Sequence, residues 1–171
     1  MVSLYMNKRI FYFDKLNWWD ISTLILYFVL TFFVYYTDIP TRRDWLFGYS
    51  FGTHLFFYFF NYKSLRKMNV WLIWMVFSVV HLFYYFELYG KPELQVFRGF
   101  SGHALLFTWL LLIIFQVLRY ISLTYQNQEL VALSRSRTDI WDNRRITKID
   151  TACFFAYFLL TLVLDVAFMG I

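Results

Sequence analysis

Cysteine is all but missing: Cys153 is the single one, so no disulfide can form within the chain and the redox compartment stays open. Proline is nearly as scarce. Its two copies, Pro40 and Pro92, fall in links between apolar runs and not inside one. Charge is short as well: 16% of the 171 residues are Asp, Glu, Lys or Arg, against about a quarter in a soluble domain. A secretory leader is not expected, because Asp14, Lys15 and Asp20 interrupt the first stretch and no small-residue cleavage site follows the first apolar run. The first apolar segment therefore stays in the mature protein. Nucleotide-binding loops, metal-ligand spacings, repeats and low-complexity tracts are all absent. No catalytic residue and no metal ligand is assigned on this basis, and an enzyme is the less favoured reading.

What is abundant is apolar surface, with 60% hydrophobic and 25% aromatic residues. The few charges cluster, and between the clusters lie five stretches almost free of ionisable groups: 21–37, 45–62, 68–86, 99–118 and 151–171. Each is roughly as long as a helix must be to cross a hydrocarbon core of about 30 Å. Runs such as LLFTWLLLIIF are apolar on every face, which excludes a porin-type barrel with its alternating strands. The expected fold is all-α: a polytopic membrane helical bundle of five transmembrane helices, forming one integral membrane domain over residues 1–171.

The net charge of +5 and pI near 9.3 call for a membrane explanation before a nucleic-acid one, because basic residues mark the cytoplasmic side of a membrane protein. Lys8, Arg9, Lys15, Lys63, Arg66, Lys67, Arg119, Arg135, Arg137, Arg144, Arg145 and Lys148 fall on one side; Arg42, Arg43, Lys91 and Arg98 fall on the other. Five spans with that bias place the N-terminus inside and the C-terminus outside, with segment 120–150 cytoplasmic. Trp18, Trp19, Tyr62, Trp71 and Tyr120 supply an inner aromatic belt, and Tyr36, Trp45, Tyr85 and Tyr89 an outer one. Within 120–150 the fourth helix is expected to project from the membrane. Ser136 and Asp139 have capping-box spacing for a short helix DIWDNRRITKI, whose Arg144, Arg145 and Lys148 would face headgroups. The outer link ELYGKPELQVFRGFSG is long enough to fold back over the mouth of the bundle.

Two histidines lie within apolar runs. His54 falls about 12 Å from the inner end of the second span and His81 about 19 Å from that of the third, at roughly 1.5 Å per residue. Each belongs to a polar stripe: Ser50, His54 and Asn61 on one helix; Trp74, Ser78, His81 and Tyr85 on the next. The leading expectation is packing, with neutral imidazoles bonded to Ser, Tyr or a backbone carbonyl. Ligation of a b-type haem by His54 and His81 is the cofactor alternative, although neighbouring helices about 8–10 Å apart leave little room for a macrocycle. A second constellation, Glu87, His103 and Asp165, would form an intramembrane polar path or an ion pair, with Arg98, Arg42 or Arg43 as the cation for Asp165. Asp165 extends the i+4 series Cys153, Tyr157 and Thr161.

GFSG, at Gly99 to Gly102, resembles the Gly-x-Ser-Gly nucleophile loop of rhomboid intramembrane proteases. The resemblance covers four residues. Those enzymes take their base from a histidine in a later helix; none follows His103, and on a helix His103 would point away from Ser101. The glycines therefore read as a turn into the fourth span. Gly48 and Gly52 form a Gly-x-x-x-Gly pair expected to admit a close helix neighbour. The functional expectation is a small non-enzymatic integral membrane protein, a subunit or accessory factor of a bacterial inner or organellar membrane assembly. Its partners would be the lipid bilayer and other membrane subunits or its own copies, with no nucleic acid. Electron transfer through haem and a small carrier or channel are the alternatives.

Overall fold

The computed structural model describes residues 11–96, 99–133, 138, 139, 142 and 144–166. Among them are five α-helices: α1 (Trp18–Tyr36), α2 (Ile39–Phe59), α3 (Met68–Leu88), α4 (Thr108–Gln126) and α5 (Lys148–Val166). Short 3-10 turns occupy Ser64–Arg66, Pro92–Leu94 and His103–Phe107, and a small hairpin pairs β1 (Gln95–Val96) with β2 (Gly99–Phe100). Three helical stretches are long and apolar enough to cross a membrane: α1, α3 and the continuous run His103–Gln126. Helices α2 and α5 have similar length, 21 and 19 residues, but carry more ionisable groups.

Local chemistry sets the boundaries. At the start of α1 the Asn17 side chain accepts from the Asp20 N–H while Asp20 accepts from the Asn17 N–H, both at 2.8 Å, which satisfies two otherwise orphaned donors. Pro40 stands in the first turn of α2, where its missing N–H costs nothing; the helix therefore begins before the expected span at 45. The expected fourth span begins too early. Residues 99–107 form strand β2 and a 3-10 turn, and α4 starts only at Thr108, running on to Gln126 before Asn127 closes it with a left-handed φ of 52°. Of the short helix expected from 139, residues 140, 141 and 143 lie outside the described residues, and the described ones are not helical before Lys148. The backbone from Arg144 to Thr147 is non-helical, and Thr138 instead bridges antiparallel to Arg145. The working capping box lies further on: the Asp150 N–H donates to the Thr147 hydroxyl, and the Thr147 N–H to Asp150. Ser136 lies outside the described residues.

Apolar side chains fill the core and also cover much of the outside. Exposed faces carry Ile25, Phe28, Val29 and Phe32 on α1, Val76, Val79, Phe83 and Phe86 on α3, and Phe155, Leu159 and Val163 on α5. The interior holds Ser50, Thr53, His54, Asn61, Ser78, His81, Thr108, Arg119, Asp150, Thr161 and Asp165, all essentially inaccessible. An apolar exterior of this extent marks a surface that meets a membrane or a protein partner, and polar groups inside it must find one another. The link between α3 and α4 folds back: Leu94, Phe100 and Ser101 are buried, and Phe100 packs edge-on against Tyr85 and Tyr89.

A Cβ built on Gly48 or Gly52 meets nothing within 4 Å among the described residues. At Gly102 the same atom would stand 2.8 Å from the Phe100 ring and 3.0 Å from Leu46. The turn after the hairpin is where a side chain has no room.

Candidate functional site: a buried hydrogen-bond chain

The stripes that carry the histidines face inward. Ser50 and His54 on α2, Asn61 in the turn just past its end, and Trp74, Ser78 and His81 on α3 are all at most 1% exposed, and the i+4 series of α5 from Cys153 to Asp165 is buried throughout. Where they meet, the side chains form one continuous chain. Asp165 Oδ2 lies 2.7 Å from His54 Nδ1. His54 Nε2 lies 3.2 Å from Thr108 Oγ1, which is 2.9 Å from His81 Nδ1. His81 Nε2 lies 2.7 Å from the Tyr49 hydroxyl, itself 2.7 Å from Thr31 Oγ1. The Thr31 hydroxyl ends the chain on the Tyr27 carbonyl, at 2.6 Å. Residues from all five helices take part.

The carbonyl at the end fixes the direction of the hydrogens. It can only accept, so Thr31 spends its one hydrogen there and Tyr49 must donate to Thr31. Tyr49 then accepts from His81 Nε2–H, which leaves His81 Nδ1 as an acceptor for the Thr108 hydroxyl. Thr108 in turn accepts from His54 Nε2–H. A neutral His81 therefore carries its proton on Nε2. The remaining proton sits between His54 Nδ1 and Asp165 Oδ2, on the ring or on the carboxyl. Either way the pair has no net charge, which is what a buried acid and base require in a medium without water. Tyr157 holds the pair from behind by donating to the His54 carbonyl at 3.1 Å, and Phe77 and Tyr49 set their rings edge-on to His81.

All four imidazole nitrogens are thus in use, and a threonine hydroxyl occupies the gap between the rings. A haem held by His54 and His81 does not fit: Thr108 would have to leave that gap and the helices part. Among the described residues the partner of Asp165 is His54 and no arginine. Arg42 donates to the Thr37 carbonyl and Arg43 pairs with its neighbour Asp44, while Arg98 lies outside the described residues. Glu87 and His103 are not brought to Asp165 as hydrogen-bond partners. The Glu87 side chain is 41% exposed and sits 3.9 Å from Lys91, just past the end of α3. His103 stacks edge-on with Phe107 and Tyr85, its buried Nε2 unpartnered among the described residues. No group of three or more His, Cys, Asp or Glu able to hold a metal ion occurs among the described residues. Ser101 is fully buried, its hydroxyl unpartnered among the described residues and its carbonyl 3.5 Å from the Ser50 hydroxyl. The loop acts as a turn.

A second buried constellation closes the basic end of the bundle. Arg119, 1% exposed, makes a two-pronged contact with Glu129 at 2.8 and 2.9 Å. Arg66 contacts Asp142 and donates to the Leu130 carbonyl. Arg144 pairs with buried Asp150 at 2.7 Å and donates to the Glu129 carbonyl, and Tyr62 donates to Asp139. Segment 127–133 is thereby drawn against the helix ends, with Leu130 and Val131 fully buried. Arg144 turns inward, whereas Arg145 and Lys148 are exposed as expected. Burial pushes the Asp142 carboxyl up, but Arg66 and Lys63 outweigh it and hold it below its ordinary value of 3.8. Composition hinted at this lock: acids at 129, 139, 142 and 150 follow a lone arginine in an apolar run. The pairing itself had no periodic signal. No protein-family model, curated protein or solved structure matches the chain.

Proposed function

We propose that this chain is a five-span integral membrane protein of a bacterial inner or organellar membrane, N-terminus inside and C-terminus outside, acting as a non-enzymatic subunit of a membrane assembly. The observation that carries the reading is the closed chain from Asp165 to the Tyr27 carbonyl. It joins all five helices, every member is at most 8% exposed, and it ends on a group that cannot pass a proton on. Helices in hydrocarbon are not driven together by the hydrophobic effect; van der Waals packing and interhelical hydrogen bonds select their arrangement. A chain of this kind favours the one arrangement that joins its members, although Asp165 Oδ1 is left without a hydrogen-bond partner among the described residues. The product is a rigid body whose outer surface of Phe, Trp, Val and Leu is offered to lipid and to neighbouring subunits.

Reporter fusions within residues 126–133 and after Val166 test the threading. Opposite sides are expected; the same side would mean that α5 does not cross. Mild-detergent extraction followed by mass spectrometry tests the subunit reading, which predicts co-purification of other membrane proteins or a homo-oligomer; a lone monomer would count against it. A second reading, an intramembrane proton path, draws support from the hydroxyl and imidazole members between Asp165 and Thr31, which each both donate and accept. Proton flux into proteoliposomes that His81→Leu abolishes would favour it over the structural role.

A further inference from the structure

At the basic end, between the start of α1, the end of α2 and the turn at Ser64–Arg66, lies a cleft of about 310 Å³. Its charged lining is uneven. Lys63, Arg66 and Lys67 border it against one carboxylate, Asp14, and the acids that compensate the cations (Asp20, Asp142 and Glu129) do not line it. Trp19 and Phe60, 40% and 57% exposed, form its apolar border. Arg66 is buried, yet its Nε stands 3.8 Å from Glu129 and has no hydrogen-bond partner among the described residues. Lys63 keeps half its side chain accessible.

We infer that this cleft binds the phosphate headgroup of an anionic phospholipid, with an acyl chain running out over Phe60 and Trp19. The inference rests on the proposed membrane placement, which puts the helix ends around the cleft at the level of the headgroups. There a phosphate meets three cations against the single lining carboxylate Asp14, each cation also holding a carboxylate that does not line the cleft, and basic groups near an anionic leaflet each add to binding. The aromatic side chains fit the same boundary, since Trp prefers the headgroup level. A free phosphate shares the charge but would gain nothing from the apolar border.

The test uses the full chain, extracted in detergent and stripped of lipid. Native mass spectrometry and thermal unfolding are followed while phosphatidylglycerol, phosphatidylcholine or inorganic phosphate is added. One phosphatidylglycerol is expected to be retained and to raise the unfolding temperature, with phosphatidylcholine weaker and inorganic phosphate without effect. Lys63→Glu should weaken phosphatidylglycerol retention about tenfold. Lys91→Glu, an equal charge change at the opposite end, should leave it unaltered. Equal losses in the two variants, or stabilisation by inorganic phosphate as large as that by the lipid, would overturn the inference. Sedimentation with membranes before extraction separates the two failures: a chain absent from the membrane fraction sinks the membrane reading itself, whereas one present there that ignores phosphatidylglycerol sinks only the lipid site.

Discussion

The middle of the bundle and its basic end both bury polar groups, but with different chemistry. In the middle stand hydroxyls, imidazoles and one carboxyl, joined so that the chain carries no net charge. At the basic end stand guanidinium–carboxylate pairs, whose ions remain full charges. The difference follows the solvent. Removing two ions from water costs several kcal/mol each even after relaxation, a cost that falls where water is close. Segment 127–133 supplies backbone carbonyls to Arg66 and Arg144 there, satisfying donors the carboxylates do not reach. A neutral chain in the middle avoids most of that cost and still fixes which helix faces which.

The sharpest way to break the comparison is to remove an ion at the basic end. Among the described residues, Arg119→Ala leaves the Glu129 carboxylate with the longer contact to Arg66, and should cost about 3–5 kcal/mol, the range for breaking a buried pair from one side. Unfolding of the variant in detergent measures it; a loss below that of the middle-chain variants would reverse the ranking.

The middle chain is probed best at Thr108. Thr108→Val keeps the shape and removes the hydroxyl shared by both histidines, leaving a buried donor and acceptor unpaired at about 1–3 kcal/mol. Thr108→Ser should recover most of it. Equal loss in both variants would assign the effect to packing and not to the hydrogen bonds.

Next in size come the glycines. Gly102→Ala drives a Cβ into the Phe100 ring and should lower stability by about 1–3 kcal/mol. Gly52→Ala meets open space and should be neutral or stabilising by about 0.5–1 kcal/mol, the helix preference of Ala over Gly. Thermal unfolding of the pair decides it, and a larger loss at Gly52 would restore that strip as a packing face.

The smallest effect is a pH dependence confined to the basic end. The carboxyl of Asp142 titrates lower in the folded chain than its ordinary 3.8, so the unfolded chain binds its proton more readily. The stability it contributes is complete above that ordinary value and is lost as pH falls through the folded one. Asp142→Asn should flatten the acid limb of an unfolding-temperature profile, and an unchanged limb would remove Asp142 from the lock.

How much of this was legible in the sequence depends on periodicity. The stripes of α2, α3 and α5 repeat at helical spacing, so His54, His81 and Asp165 were readable as inward-facing polar groups. Thr108 belongs to no stripe, and its role as the bridge arises from where α4 starts. That start was hidden because the 3-10 turn before it is as apolar as the helix. Asp165 was expected to meet an arginine because charge suggests charge; contact across 111 positions of sequence has no local signature. Gly-x-x-x-Gly spacing was visible, but spacing says nothing about whether a neighbour stands opposite.

The claim on which the account turns is the direction of the middle chain, and nitrogen NMR of protein labelled at histidine reads it directly. His81 should appear neutral near pH 7, protonated at Nε2 and bare at Nδ1, and Tyr49→Phe should perturb its Nε2 signal. A His81 protonated at Nδ1, or charged at that pH, would contradict the closed neutral chain.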